Sequence, residues 1–339
     1  MTIADRLVRS WYSPRLTLLA ALLWPLSILY RAVVGGRRML YRAGWLRAIR
    51  LPVPVVIVGN ITVGGAGKTP LTCAIAAALR ERGWHPGIVS RGYGGSADSA
   101  RAVALADDPR VVGDEPLIFA AMGLPVWIGR DRVAAGAGLL ATHAECNVIL
   151  ADDGLQHYRL ARTMEIVAID DARGLGNGCL LPAGPLREPA CRLQQVDAVV
   201  RLMAPDVRYP AAASGRMTRT HHRALPWRNL VEPHRVADPS TWRSGDVHAV
   251  CGTANPARFF AMLRTLGIAA HEHAFADHHF FVAADLAWPN AAAILMTEKD
   301  AVKCRGIADA RCWYLPVQAQ VDPALIALVE ETIRGFKAA

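Results

Sequence analysis

Residues 59–70 read Gly-Asn-Ile-Thr-Val-Gly-Gly-Ala-Gly-Lys-Thr-Pro, a combination suited to holding phosphate. Three glycines in four positions let backbone N–H groups turn inward toward anionic oxygens. A helix starting at the Gly-Lys-Thr adds unpaired N–H groups and its positive dipole end. In that arrangement Thr62, Val63, Gly64, Gly65, Ala66, Gly67, Lys68 and Thr69 bind ATP. Lys68 reaches the β- and γ-phosphates, and the Thr69 hydroxyl takes Mg²⁺. The usual G-x-x-x-x-G-K-[ST] pattern wants glycine where this chain has Thr62. A glycine-rich turn carrying a chance lysine is the plain alternative. Composition weighs against it: the chain has four lysines (68, 299, 303 and 337) against 34 arginines, yet a lysine stands here.

The flanking pattern supplies the elements such a loop needs. An apolar, β-branched run, Val53 to Val58, predicts a strand before it, and the spacing from Thr69 to Arg82 predicts a helix after it. About 80 residues on, Cys146 to Ala151 reads as a buried strand ending in Asp152-Asp153-Gly154. A strand that delivers carboxylates beside a phosphate loop provides metal ligands, so Asp152 and Asp153 join Thr69 as metal candidates. A surface turn would also accommodate Asp-Asp-Gly. Arg91-Gly92-Tyr93-Gly94-Gly95 offers a cation and an aromatic on a flexible loop, which a tight turn explains equally well. Asp114 and Glu115 precede a Pro-started helical stretch, where helix capping is the simplest reading. The Gly- and Pro-rich segment 177–189 contains Gly184-Pro185-Leu186-Arg187-Glu188-Pro189, a rigid loop able to clamp a substrate or phosphate. His271, His273, His278 and His279 crowd nine residues, but their spacing matches no familiar zinc pattern and no cysteine is near. An acid–base histidine is the expectation there, and a solvent-facing loop the alternative.

Strands and helices alternate through 51–205 and again after 240, which predicts an α/β fold with a mainly parallel sheet. The expected organisation is an N-terminal helical segment (1–50), a phosphate-binding domain (51–205), a β linker (206–240) and a smaller α/β domain (241–339). Seven scattered cysteines without a C-x-x-C pair indicate reduced thiols. The net charge of +9 is misleading, because residues 1–50 carry nine arginines against one acid and the remainder is nearly neutral. A nucleic-acid partner would need a basic face on the folded body, so none is expected.

The N-terminal segment has its own logic. Leu16 to Tyr30 is apolar apart from Thr17 and Ser27, and Arg15 and Arg31 bracket it. Fifteen helical residues span about 22 Å, short of the ~30 Å hydrocarbon core. Trp11, Tyr12, Trp24, Tyr30, Tyr41 and Trp45 supply interfacial aromatics, and arginines follow. The segment reads as a membrane anchor lying in the interface, with a buried helix of the fold as the alternative.

Together these motifs resemble the tetraacyldisaccharide 4′-kinase family, the lipid A 4′-kinases of Gram-negative bacteria. The carrying residues are G-N-I-T-V-G-G-A-G-K-T-P, S-R-G-Y-G-G, G-D-E-P, A-D-D-G-L-Q-H, G-P-L-R-E-P, D-H-H-F and T-E-K-D, in that order over residues 53–300. The family's loop resembles T-V-G-G-x-G-K-T, so Thr62 fits it. The resemblance implies a P-loop NTPase-like α/β/α sandwich, a second smaller α/β domain, and an active site in the cleft between them. It implies transfer of the ATP γ-phosphate to the 4′-hydroxyl of a tetraacyldisaccharide 1-phosphate, with Mg²⁺, at the cytoplasmic face of the inner membrane. It makes Asp114 the catalytic aspartate and His278 its partner. It also brings Glu188 to the metal set and Arg91, Tyr93, Gln156 and Arg187 to the substrate. The family mostly has Phe where this chain has Leu155. No zinc is implied. Two other classes compete: a soluble kinase of a small metabolite, and a membrane-associated P-loop ATPase switch that needs no base for a sugar hydroxyl.

Overall fold

The computed structural model describes residues 3–13, 15–65, 67–203 and 217–337. Ala66 of the loop and 206–216 of the expected linker lie outside the described residues. The chain gathers into two compact units, each assembled from separated segments. The first comprises Met1–Arg91, Asp131–His222 and Ala319–Ala339; the second comprises Gly92–Arg130 and Arg223–Gln318.

The first unit is built on a parallel sheet. Val55–Gly59 lies between Val148–Asp152 and Met164–Asp170. Pro86–Ser90 pairs outside the former, and Ala198–Met203 outside the latter. Val55–Gly59 thus sits in the middle of the sheet with later strands added on both sides, and the crevice at its carboxyl end is where such sheets bind ligands. Val55–Gly59 and Val148–Asp152 are buried at every position, as expected for strands covered on both faces.

The division differs from the linear one read from the sequence. The terminal helix Pro323–Arg334 buries Leu325, Ile326, Val329 and Ile333 and packs on the helix Lys68–Glu81 of the first unit. Residues 92–130 instead join the second unit, where Val112, Leu117 and Ile128 share a cluster with Val302. Apolar spacing marks these helices as amphipathic without naming the sheet they cover.

The second unit has a six-stranded sheet in the order Val236–Ala237, Trp227–Asn229, Cys312–Leu315, Ala293–Thr297, Val247–Cys251, His271–Ala274. The first two strands run antiparallel and the rest parallel. One face is packed by Trp227, Trp242, Phe259 and Trp313, the other by Phe281, Leu286 and Met296. The edge strand His-Glu-His-Ala carries no apolar alternation, so the sequence pattern does not reveal it.

The N-terminal helix is longer than its apolar core. Leu18–Arg42 runs 25 residues, about 37 Å, and continues through Pro25 and past Arg31. By length and composition it is able to cross a membrane. Only Ala20 and Ser27 are buried. Ser27 Oγ donates to the Leu180 carbonyl (2.8 Å) and accepts from Ala183 N (3.0 Å), while Trp11 Nε1 donates to Pro182 O (2.9 Å). Elsewhere large apolar side chains face outward, with Leu18, Leu22 and Leu29 more than 60% exposed.

Candidate active site

Two groups of polar residues stand out, one in each unit. In the first, Gly64 (φ 100°) and Gly67 (φ 67°) bend the loop through the left-handed region before the helix begins at Lys68. Val63 N donates to Pro185 O (2.8 Å) and Arg187 N to Ile61 O (2.7 Å). The Gly-Pro-Leu-Arg-Glu-Pro segment thus braces the phosphate loop directly. Lys68 is buried; its Nζ donates to Asn60 Oδ1 (3.2 Å) and pairs with Asp153 Oδ1 (3.1 Å). Arg187 Nη1 reaches both Asp153 oxygens at 3.1 Å. Burial alone would raise the Asp153 carboxyl, but Lys68 and Arg187 more than offset it and hold it far below the usual range. Asp152 is fully buried at the strand end and accepts from Thr72 Oγ1 (3.0 Å).

Gln156 Nε2 donates to Asn60 O (3.1 Å) and to Glu188 Oε1 (2.8 Å). Glu188 is fully buried, and its other oxygen accepts from Tyr158 (2.7 Å) and Arg192 (3.2 Å). Both oxygens of Glu188, a metal candidate in the sequence, accept hydrogen bonds, one of them from Gln156, which lies beside the loop. Arg91 is exposed at the end of its strand.

In the second unit Asp114 opens the helix Asp114–Ala121 and is 3% exposed. Its Oδ1 accepts from Glu115 N (2.9 Å) within the first turn, while Gly113, not Asp114, holds the N-cap position. Its Oδ2 faces His278 Nδ1 (3.0 Å), Lys299 Nζ (3.8 Å) and Lys303 Nζ (4.0 Å). Burial works to raise this carboxyl; the His278 hydrogen bond and the lysines outweigh it and hold the group low. Tyr93 packs edge-on against His278, ring centroids 4.9 Å apart. Gly113 (φ 86°) sits so close to Tyr93 O that a Cβ would lie 2.6 Å from it.

Among the described residues the non-glycine positions with positive φ are Asp153 (49°) and His278 (59°). Strained backbone clusters where function holds it, and these two fall one in each group. Asn60 and Lys299 lie inside the quoted motifs without a role assigned to them, and Lys303 lies outside every motif. Lysine scarcity was the available signal, since Lys68, Lys299 and Lys303 are three of only four. A cavity of about 440 Å³ lies at the amino end of Val55–Gly59, beside Arg50, Arg162 and Phe336, away from the loop.

The family model for tetraacyldisaccharide-1-P 4′-kinase matches residues 19–334. The chain belongs to that family. It is 48% identical to the tetraacyldisaccharide 4′-kinase of Dechloromonas aromatica, covering 99% of this chain and all of the relative. It is 50% identical to that of Alkalilimnicola ehrlichii over 91% of each. The crystal structure of LpxK from Aquifex aeolicus in complex with ATP superposes with a TM-score of 0.80, covering 93% of this chain and all of that one, at 28% identity. The α/β architecture expected from the sequence is therefore the family's own.

Proposed function

We propose that the chain transfers the γ-phosphate of ATP to the 4′-hydroxyl of a tetraacyldisaccharide 1-phosphate in lipid A biosynthesis. The observation that carries this reading beyond family membership is the pairing of buried Asp114 with half-buried His278, at 3.0 Å. An ATPase switch has no use for a proton acceptor of that kind, whereas a sugar hydroxyl attacking phosphorus does. Asp114, kept ionised by His278 and two lysines, or His278 through its second nitrogen, takes that proton; the pair acts as one unit.

The loop donors fit a triphosphate. Lys68 supplies a compact positive charge, with Gly64, Gly65 and Gly67 offering backbone N–H groups. Thr69, Asp152 and Asp153 form an all-oxygen donor set, which suits Mg²⁺ rather than a softer metal. These three residues would hold the ion, which would supply positive charge to offset the negative charge developing on the transferred phosphoryl group. With the ion bound, Asp153 would trade its contacts with Lys68 and Arg187 for the metal, and those two cations would be available to phosphate oxygens. Gln156, Arg91 and Tyr93 contact substrate, and Glu188 orients Gln156.

The exposed apolar face of Leu18–Arg42, followed by Arg37, Arg38 and Arg42, supports attachment to the cytoplasmic face of the inner membrane, where the acyl chains of the acceptor reside. A soluble kinase of a small metabolite would not expose such a face. Mass analysis of the acceptor lipid after incubation with the chain, ATP and Mg²⁺ tests the function: a gain of one phosphate on the distal sugar is expected. An unchanged lipid with ATP consumed refutes it.

A further inference from the structure

The edge of the smaller sheet carries polar residues that the proposed reaction does not use. Parallel pairing sets His248 beside His271 and Val250 beside His273, so the three imidazoles lie on one face of two adjacent strands. Asp246 precedes the first of these strands. Its Oδ1 lies 3.3 Å from His248 Nε2 and 3.3 Å from His271 Nε2. The three ligand atoms fall within 4.8 Å of one another.

We propose that Asp246, His248 and His271 form a binding site for one divalent transition-metal ion of the zinc class. Zinc bonds of about 2.0–2.2 Å in tetrahedral geometry separate neighbouring ligand atoms by about 3.3 Å, the spacing Asp246 keeps to both imidazoles. Two imidazoles and a carboxylate suit zinc, and three protein ligands leave a fourth position for water. Further contacts position the ligands. His248 Nδ1 is hydrogen-bonded to His273 Nε2 (2.9 Å). With that proton on Nδ1, His248 keeps its Nε2 lone pair for the metal, the tautomer control that supporting partners give metal-bound histidines. Trp288 stacks on both His248 (4.4 Å) and His273 (4.3 Å), fixing their ring planes.

The sequence argued against zinc because the histidine run 271–279 has no ligand spacing of its own. The missing partners come from across the strand pair, more than 20 residues earlier. The ion would tie Val247–Cys251 to the edge strand His271–Ala274, which has little apolar surface to hold it. That strand leads directly into the segment bearing His278.

The experiment uses the full chain in detergent, with any histidine tag removed, titrated with Zn²⁺ alone by calorimetry and analysed for metal after dialysis. One equivalent of Zn²⁺ is expected, with a rise in melting temperature on binding. His271→Ala should weaken binding at least tenfold and abolish the melting shift. His271 has a side chain 68% exposed, so this variant should melt like the parent without zinc. Asp246→Asn should weaken binding likewise, and His273→Phe about tenfold through the lost support of His248. All three variants retain the seven cysteines and the nucleotide-loop carboxylates. Failure of the parent to take up stoichiometric zinc, or uptake undiminished in His271→Ala and Asp246→Asn, overturns the proposal.

Discussion

Replacing Asp114 by asparagine removes one charge and one proton acceptor while keeping the side chain's shape. The structure allows the consequences to be separated. Asparagine Oδ1 still accepts from Glu115 N, so the helix start persists. Lys303 keeps Asp300 at 2.8 Å and Lys299 keeps Glu115 at 3.2 Å, so neither buried cation is stranded. The stability cost should stay near 1–3 kcal/mol, that of a disturbed buried hydrogen bond. What goes is the carboxylate that holds His278 Nδ1 and can take the hydroxyl proton. General acid–base catalysis contributes about 10²–10⁴ in rate, or about 3–5 kcal/mol of barrier. Asp114→Asn should therefore lower kcat by that factor with ATP affinity nearly unchanged, since the phosphate loop is untouched. The assay is initial-rate label transfer at saturating ATP and lipid, paired with direct nucleotide binding and a thermal melt. A folded variant retaining kcat within tenfold of the parent would remove Asp114 as the base and leave it only its first-turn contact with Glu115 N.

Lys68→Ala should cut turnover by at least 10²-fold, because it loses the charge aimed at the transferring phosphoryl group; turnover within threefold of the parent contradicts that role. Gly113→Ala forces a Cβ to 2.6 Å from Tyr93 O at φ 86°, so it should lower the melting temperature and displace Asp114; an unchanged melt contradicts the strain argument. Deleting residues 1–50 would strip the Trp11 and Ser27 contacts as well as the exposed face, so substitution is the cleaner membrane test. Changing Leu22, Trp24, Leu29 and Val33 together to serine should weaken vesicle binding at least tenfold while sparing activity in micelles, and equal vesicle binding defeats the anchor. Burial, with Arg132 as the next cause, pushes His157 down to about 4 from 6.5. The unfolded chain takes that proton first, so the stability it contributes is present above pH 6.5 and lost as pH falls toward 4. His157→Gln should flatten that acid limb of the melting curve, and an identical slope in both proteins rejects the link.

The phosphate loop was legible because its chemistry is local. Glycine spacing, Lys68 and the apolar strand before it sit within twenty residues, and the structure brings Lys68, Asp153 and Arg187 together as three motifs suggested. Asp114 and His278 were paired through family resemblance alone: 164 residues separate them, and no periodicity connects a helix start to a histidine-rich loop. Glu188 shows the converse. Its motif marks the carboxylate as a metal candidate but says nothing of its hydrogen-bond partners, Tyr158, Arg192 and Gln156, which lie outside that motif. The segmental makeup of the two units was hidden because amphipathic helices such as Pro323–Arg334 carry no mark of which sheet they cover. The edge strand His271–Ala274 was hidden because its polar residues break the alternation that identifies strands.

The most direct test of the central claim follows the label. The purified chain is incubated with γ-labelled ATP, Mg²⁺ and a tetraacyldisaccharide 1-phosphate in micelles, and lipid is then separated from inorganic phosphate. Label entering the lipid, dependent on acceptor and on Lys68, is the predicted result. Label released only as inorganic phosphate, with or without the lipid, would contradict it and favour an ATPase switch.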